Sequence, residues 1–327
     1  MDTSYRTEYR EPWVGAVRTE GAKPTYNDKL KYEDYAQMPL TMKAYCSSGY
    51  IIIRWDCPYP IEYSTDEGKT WSSFTSASTV TLNDQQTVCF KGNRSEYSYT
   101  ELDEDDDEYT EYGKFSVRAS SSGSVDLMGN IMSMVSGDNY VNATTVGSYA
   151  FSEMFCGTGQ RISSARNLIL PATQLGSYCY SDMFASCHLS CPPAVLPATT
   201  LSEGCYSSMF NGTSIKEAPI ICATTLASYC CRYMFCSCSS LVTGPELMAK
   251  NLVAYCYSSM FYGCNNLNYI KAMFTNSTIP TYALSMWVNM VFSKNGTFVK
   301  NQASNFNTRG ASGIPNDWEI VNEAYPS

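Results

Sequence analysis

The chain has one histidine, His188, and it follows Cys187 directly. A thiol beside an imidazole is the pairing that yields an activated nucleophile and its base. Cys187, however, belongs to a spacing that recurs along the chain, and His188 is simply the next residue, so the pair reads as structural. The fifteen cysteines invite a metal or disulfide reading. Four of them, Cys179, Cys205, Cys230 and Cys256, fall at one repeated position, where free cysteine serves as a small apolar side chain. Reduced core thiols are therefore expected, with disulfides between neighbouring repeats and a zinc site as the alternatives. The run Glu101 to Glu108 ("ELDEDDDE") clusters carboxylates of the kind that suit calcium. The twelve-residue calcium-loop pattern fails there, because Glu108 stands where glycine is needed and Lys114 where glutamate is needed. A solvated acidic loop is the reading. Nucleophile elbow, phosphate loop and dinucleotide fingerprint are all missing from the sequence. No catalytic, cofactor-binding or metal-ligating residue is assigned, no cofactor is expected, and a non-enzymatic protein is expected.

The elements behind these cysteines are repeats. Met-Phe recurs at Met154-Phe155, Met183-Phe184, Met209-Phe210, Met234-Phe235 and Met260-Phe261, at intervals of 29, 26, 25 and 26 residues. Eight residues before each methionine stands an aliphatic: Val146, Leu175, Leu201, Leu226 or Leu252. Four before stands a small residue: Ala150, Cys179, Cys205, Cys230 or Cys256. Within a copy, Leu175, Cys179 and Met183 are four apart, and Tyr180 and Phe184 form a second row. Such spacing places one face of a helix toward a core. About three turns of helix followed by a short strand are expected in each copy, a plan that buries its apolar stripe only by stacking copies. On the expected wheel Tyr149, Tyr178, Tyr229 and Tyr255 lie opposite the buried stripe. The third copy breaks that row with Gly204. An exposed tyrosine row suits contact with a sugar or a partner protein.

"VGSYAFSEMFCGT" resembles the BspA-like leucine-rich repeat, in which an aliphatic, a glycine, Ala-Phe, and then a Cys and a Leu follow in order. Ala150-Phe151 matches the Ala-Phe pair, and it becomes Cys179-Tyr180, Cys205-Tyr206, Cys230-Cys231 and Cys256-Tyr257. The later Cys matches Cys187, Cys238 and Cys264, and the later Leu matches Leu241 and Leu267. The chain departs from that pattern by an extra Met-Phe turn, and by Thr158 and Thr213 in place of the Cys. The resemblance covers about residues 140 to 275. It implies proteins of bacterial surfaces, gut Bacteroidales and their crAss-like phages.

In front of the repeats, Tyr50–Trp55, Ile61–Ser64, Thr79–Leu82 and Thr87–Gly92 carry β-branched and aromatic residues between turn signals, and read as strands. "STDEGKTW" matches the Asp-box pattern of sialidases at Ser64, Asp66, Gly68, Thr70 and Trp71. One such box predicts a hairpin turn over a tryptophan, while a sialidase would need several and an arginine cluster. The expected architecture is α+β. An extended N-terminal arm (1–37) precedes a small antiparallel β-sandwich-like domain (38–122). A short leucine-rich-repeat α/β solenoid (123–275) and a C-terminal β cap (276–327) follow, the cap anchored by Trp318.

The start of the chain mixes charges with isolated aromatics, and Tyr5, Tyr9, Trp13 and Val14 are candidate anchors for docking on a partner. A formal charge of -9 argues against nucleic acid, whose binding rests on Lys and Arg neutralising phosphates. Neither a secretion signal nor an apolar membrane span is visible. These readings lead to a phage virion component, a head or tail decoration or fibre-like subunit. It would dock on other virion proteins through its arm, form a homo-oligomer and present its repeats to a host glycan or protein. A BspA-like cell-surface adhesin is the alternative, and a glycan-active enzyme the remote third.

Overall fold

The computed structural model describes residues 31–103 and 107–325. The arm residues Tyr5, Tyr9, Trp13 and Val14, and the centre of the acidic run, lie outside the described residues.

After a five-residue helix α1 (Tyr32–Ala36), ten strands follow. They are β1 (Leu40–Ser48), β2 (Ile51–Asp56), β3 (Ile61–Ser64), β4 (Ser72–Phe74), β5 (Val80–Leu82), β6 (Thr87–Lys91), β7 (Ser98–Leu102), β8 (Glu108–Tyr112), β9 (Lys114–Ala119) and β10 (Ser122–Asn130). Alternation builds the facing surfaces: Ile51, Ile53 and Trp55 of β2 point inward while Arg54 and Asp56 stay exposed, as the two-residue period of a strand requires. β5-β2-β9 form one sheet, and β10-β1-β6-β3-β4 form most of the other. Their inner faces meet where the rings of Phe90 and Phe115 lie 4.8 Å apart.

Beyond β10 and the four-residue helix α2 (Ser133–Ser136) the strands become short and parallel. They are β11 (Thr145–Val146), β12 (Ile162–Ile169), β13 (Gln174–Leu175), β14 (Val195–Leu196), β15 (Ile220–Ile221), β16 (Thr243–Leu247), β17 (Tyr269–Ala272), β18 (Thr297–Asn301) and β19 (Glu319–Glu323). β12 pairs in parallel with β10, so the larger front sheet runs on into the repeats. At the rear β16-β17-β18-β19 form a parallel sheet.

The expected α+β class with an α/β leucine-rich-repeat solenoid is corrected here. The protein is mostly strand and turn, in several small sheets, and α1 and α2 are the only α-helices among the described residues. The segments read as three-turn helices are chains of tight turns. Every fourth residue is left-handed: Tyr178, Asp182 and Ser186 have φ of 54°, 54° and 60°, and Tyr255, Ser259 and Gly263 have 59°, 53° and 73°. Hydrogen bonding explains the choice. In a helix every N–H is used internally; here they alternate. The N–H groups of Tyr180, Asp182 and Phe184 donate to Cys205, Ser207 and Met209 of the next copy, while those of Ser181, Met183 and Ala185 bond within their own copy. Each copy is thus a rung whose backbone is satisfied half by itself and half by its neighbour. Left-handed backbone costs about 1–2 kcal/mol at a non-glycine residue, and the inter-rung bonds hold it.

A four-residue cycle of two inward and two outward side chains replaces the helical stripe. Ala150-Phe151 and Met154-Phe155 are fully buried; Ser152-Glu153 between them and Cys156-Gly157 after them take the other side, where Ser152 is covered and Glu153, Cys156 and Gly157 are partly exposed. Both conformations put residues i, i+1, i+4 and i+5 on one side, which is why the spacing alone reads as a helix. The buried rows then repeat from rung to rung. Phe155, Phe184, Phe210, Phe235 and Phe261 stack at centroid distances of 5.5, 5.7, 5.6 and 5.8 Å. Met183, Met209 and Met234 are fully buried beside them.

Candidate binding face

The outward positions make one face. Its first left-handed row is Tyr149, Tyr178, Gly204, Tyr229, Tyr255 and Tyr282. Three residues on, the row reads Ser152, Ser181, Ser207, Arg232, Ser258 and Ser285; Ser152, Ser181 and Ser258 are buried, and Ser207, Arg232 and Ser285 are partly exposed. Tyr282 heads a sixth rung inside the segment read as the cap. Phe261 N–H donates to Trp287, which stands where the other rungs have methionine. Alignment on Met-Phe misses this rung, whose legible signal was Tyr282-Ala283-Leu284 placed 27 residues after Tyr255-Cys256-Tyr257.

The proposed row Tyr149, Tyr178, Tyr229 and Tyr255 lies on this face, but its rings stack on one another. Tyr149 and Tyr178 are 5.5 Å apart and nearly parallel, at 4°; Tyr229 and Tyr255 are 4.7 Å apart, and Tyr255 and Tyr282 5.0 Å. Stacking occupies ring faces and leaves mainly edges and hydroxyls to solvent. Two stacks result, separated at Gly204. A Cβ built on Gly204 would meet the Tyr178 ring at 2.2 Å, so the ring lies directly on the glycine. Tyr229 has Tyr255 on one side and, among the described residues, no aromatic ring stacked on the other. At the rear, Tyr282 is 57% exposed, and Met286, Met290 and Phe292 are exposed as well.

The front domain closes the other end of the ladder. Phe115 of β9 stacks on Phe155 at 5.7 Å, and Tyr112 stacks on Tyr149 at 5.9 Å. Phe115 N–H donates to Met154. The buried Gln160 amide clamps the junction: its Nε2 donates to the carbonyls of Phe115 (2.6 Å) and Cys156 (3.0 Å), and its Oε1 accepts from Val117 N–H (2.8 Å).

The residues with chemical potential are occupied by the fold. Cys187 is buried and its thiol is pushed up to about 12, chiefly by burial, whereas His188 is exposed. That geometry does not make a nucleophile and base. The fifteen cysteines are free thiols. The Cys238 and Cys264 thiols donate to the carbonyls of Phe210 and Phe235 on the preceding rungs, at 2.9 and 3.0 Å. Thr213, which replaces the cysteine on the third rung, donates instead within its own rung, to the Phe210 carbonyl at 2.8 Å. Among the described residues no group of three or more His, Cys, Asp or Glu is placed to hold a metal.

The Asp-box residues form the β3–β4 turn. The Asp66 carboxylate accepts the N–H and hydroxyl of Thr70 at 2.9 and 2.7 Å and the Ser64 hydroxyl at 2.7 Å. These bonds, the Thr70 N–H first, hold its pKa down to about 2. Gly68 turns with φ of 82° over Trp71, and the Lys91 ammonium lies 4.5 Å from the Trp71 ring. Both oxygens of the carboxylate serve its own hairpin.

In comparisons with known proteins, no family model matches the chain, and neither a curated protein nor a solved structure does. No helix among the described residues is long and apolar enough to cross a membrane.

Proposed function

We propose that this chain is a non-enzymatic structural protein of a phage particle, a head or tail decoration or fibre-like subunit that presents its tyrosine- and serine-lined face to a host glycan or partner protein. The observation that carries this reading is the ladder itself. Five of the six rungs align a Tyr and five a Ser in rows along the outer side, on a backbone braced by bonds to the adjacent rungs. Repetition of outward residues over that length builds a broad rigid surface, and preformed surfaces bind without an ordering cost. The thiols, the lone histidine and the Asp-box carboxylate are engaged in or separated by the fold, which leaves binding as the use of the exposed face. The N-terminal arm, with Tyr5, Tyr9, Trp13 and Val14, is assigned to docking on other particle proteins. The virion assignment rests on the resemblance of the repeat residues to those of gut bacteria and their phages. Mass spectrometry of purified virions is the test. The chain is expected among the stoichiometric particle proteins; its absence there, or its recovery from the bacterial envelope instead, would reject the reading.

A further inference from the structure

In a repeat, positions fixed by packing recur, so a residue that departs from its row without a packing need marks something else. Two departures lie on adjacent rungs of the outer face, and only the first has a packing reason, the Tyr178 ring resting on Gly204. The third rung has Gly204 where the others have tyrosine, and the fourth has Arg232 where the other five have Ser152, Ser181, Ser207, Ser258 and Ser285. The rungs are in direct contact: Ser208 N–H donates to the Arg232 carbonyl at 2.8 Å, and Gly204 N–H to that of Ser228 at 3.1 Å.

Among the described residues, no anion pairs with Arg232. Its guanidinium carbon lies 4.6 Å from the Tyr233 ring centroid and 5.6 Å from that of Tyr229. Its one hydrogen bond runs from Nη2 to the Tyr233 hydroxyl at 3.4 Å, a long contact. Its Nε is buried and makes no hydrogen bond among the described residues. Leaving a charged donor buried and unpaired is costly, in a chain that carries 31 acidic residues and therefore had partners to offer. Beside it, the third rung has no ring of its own: the Tyr178 ring rests on Gly204, and among the described residues no ring stacks on the side of Tyr229 toward that rung. Ser207, half-buried, holds the position of Arg232 on the adjacent rung, whereas Ser208 is buried and its hydroxyl bonds the Asp182 carboxylate.

We infer that Arg232, the unstacked side of Tyr229 and Ser207 of the third rung form a site for a sugar acid, whose carboxylate pairs with the guanidinium while its ring packs on the tyrosine. A planar fork of donors matches a carboxylate, an open aromatic side takes the C–H side of a sugar ring, and a neighbouring hydroxyl both donates to and accepts from ring hydroxyls. This deepens the surface-binding reading by naming the ligand class. It is tested on the purified protein, so it stands or falls separately from membership of a particle.

The test is calorimetric titration of the full chain with glucuronic acid and N-acetylneuraminic acid, with glucose and acetate as controls. At least one sugar acid is expected to bind about tenfold or more tightly than either control. Arg232→Ser installs the residue of the five sister rungs and so retains the fold, checked by its melting curve. It is expected to lose about tenfold or more of that affinity. Arg232→Lys keeps the charge without the fork and is expected to fall between. No binding of either acid, acetate binding equal to the sugar acid, or full affinity in Arg232→Ser would each overturn the site.

Discussion

The front sheets and the stacked rungs use the same apolar residues in opposite ways. In the front domain each buried residue has its own set of neighbours. Trp55 meets Tyr97 edge-on and Phe115 at a tilt, and Phe90 joins Phe74 to Phe115. Pairing there is antiparallel apart from the β10–β12 edge, and often links segments distant in sequence. In the stack every rung meets a near-copy of itself, so like lies on like: phenylalanine on phenylalanine, tyrosine on tyrosine, thiol beside thiol. The lesson is that a repeated environment makes the energetic consequence of a residue transferable between rungs, while a front-domain residue must be judged singly. It also makes each exception, such as Gly204 or Arg232, informative.

That contrast can be broken most directly by cavities. Phe184→Ala, Phe210→Ala and Phe235→Ala should each lower stability by about 3–5 kcal/mol, with nearly equal costs because the three sites are equivalent. Denaturant unfolding measures this, and widely different costs would show that the rungs are not equivalent environments. Next comes the junction. Gln160→Leu removes the acceptor of Val117 N–H and the donor to the Phe115 carbonyl, both buried, at about 1–3 kcal/mol for each group left unsatisfied. Coincident loss of front-domain and stack signals on heating would show one cooperative unit; separate transitions would show that the clamp does not couple them.

A smaller effect of opposite sign is expected at Tyr180, whose hydroxyl is buried with no partner among the described residues. The first rung already has Phe151 in that place. Tyr180→Phe should gain about 1 kcal/mol or more by removing the unsatisfied group, and a loss would indicate a hidden partner for the hydroxyl. The mildest effect is local and pH-dependent. Because folding lowers the Asp66 pKa to about 2, its hydrogen bonds favour the folded turn above the ordinary aspartate range and are lost as pH falls through about 2. The carboxyl carbon shift of Asp66 in an NMR titration should have its midpoint there; an ordinary midpoint would show that the Thr70 bonds do not form in solution.

The rows are legible in the order of the residues alone. The recurring aliphatic, small residue, Met and Phe fixed which side chains face inward, and the strands of the front domain are legible to within a residue at Ile61–Ser64 and Thr87–Lys91. The sequence also held an unread signal against the helix. Gly204 and Gly212 lie eight apart with Ser208 between, and two glycines cost a helix roughly 1 kcal/mol each, whereas a left-handed turn accepts them freely. Only the tertiary structure decided between helix and turn. An isolated segment satisfies its N–H groups best as a helix, and the alternating bonds that favour turns exist only once a neighbouring rung supplies the carbonyls. The same holds for the binding face: that the tyrosines spend their faces on one another, and that Arg232 and Tyr229 adjoin a rung with no ring of its own, depends on the register between rungs, which no single repeat encodes.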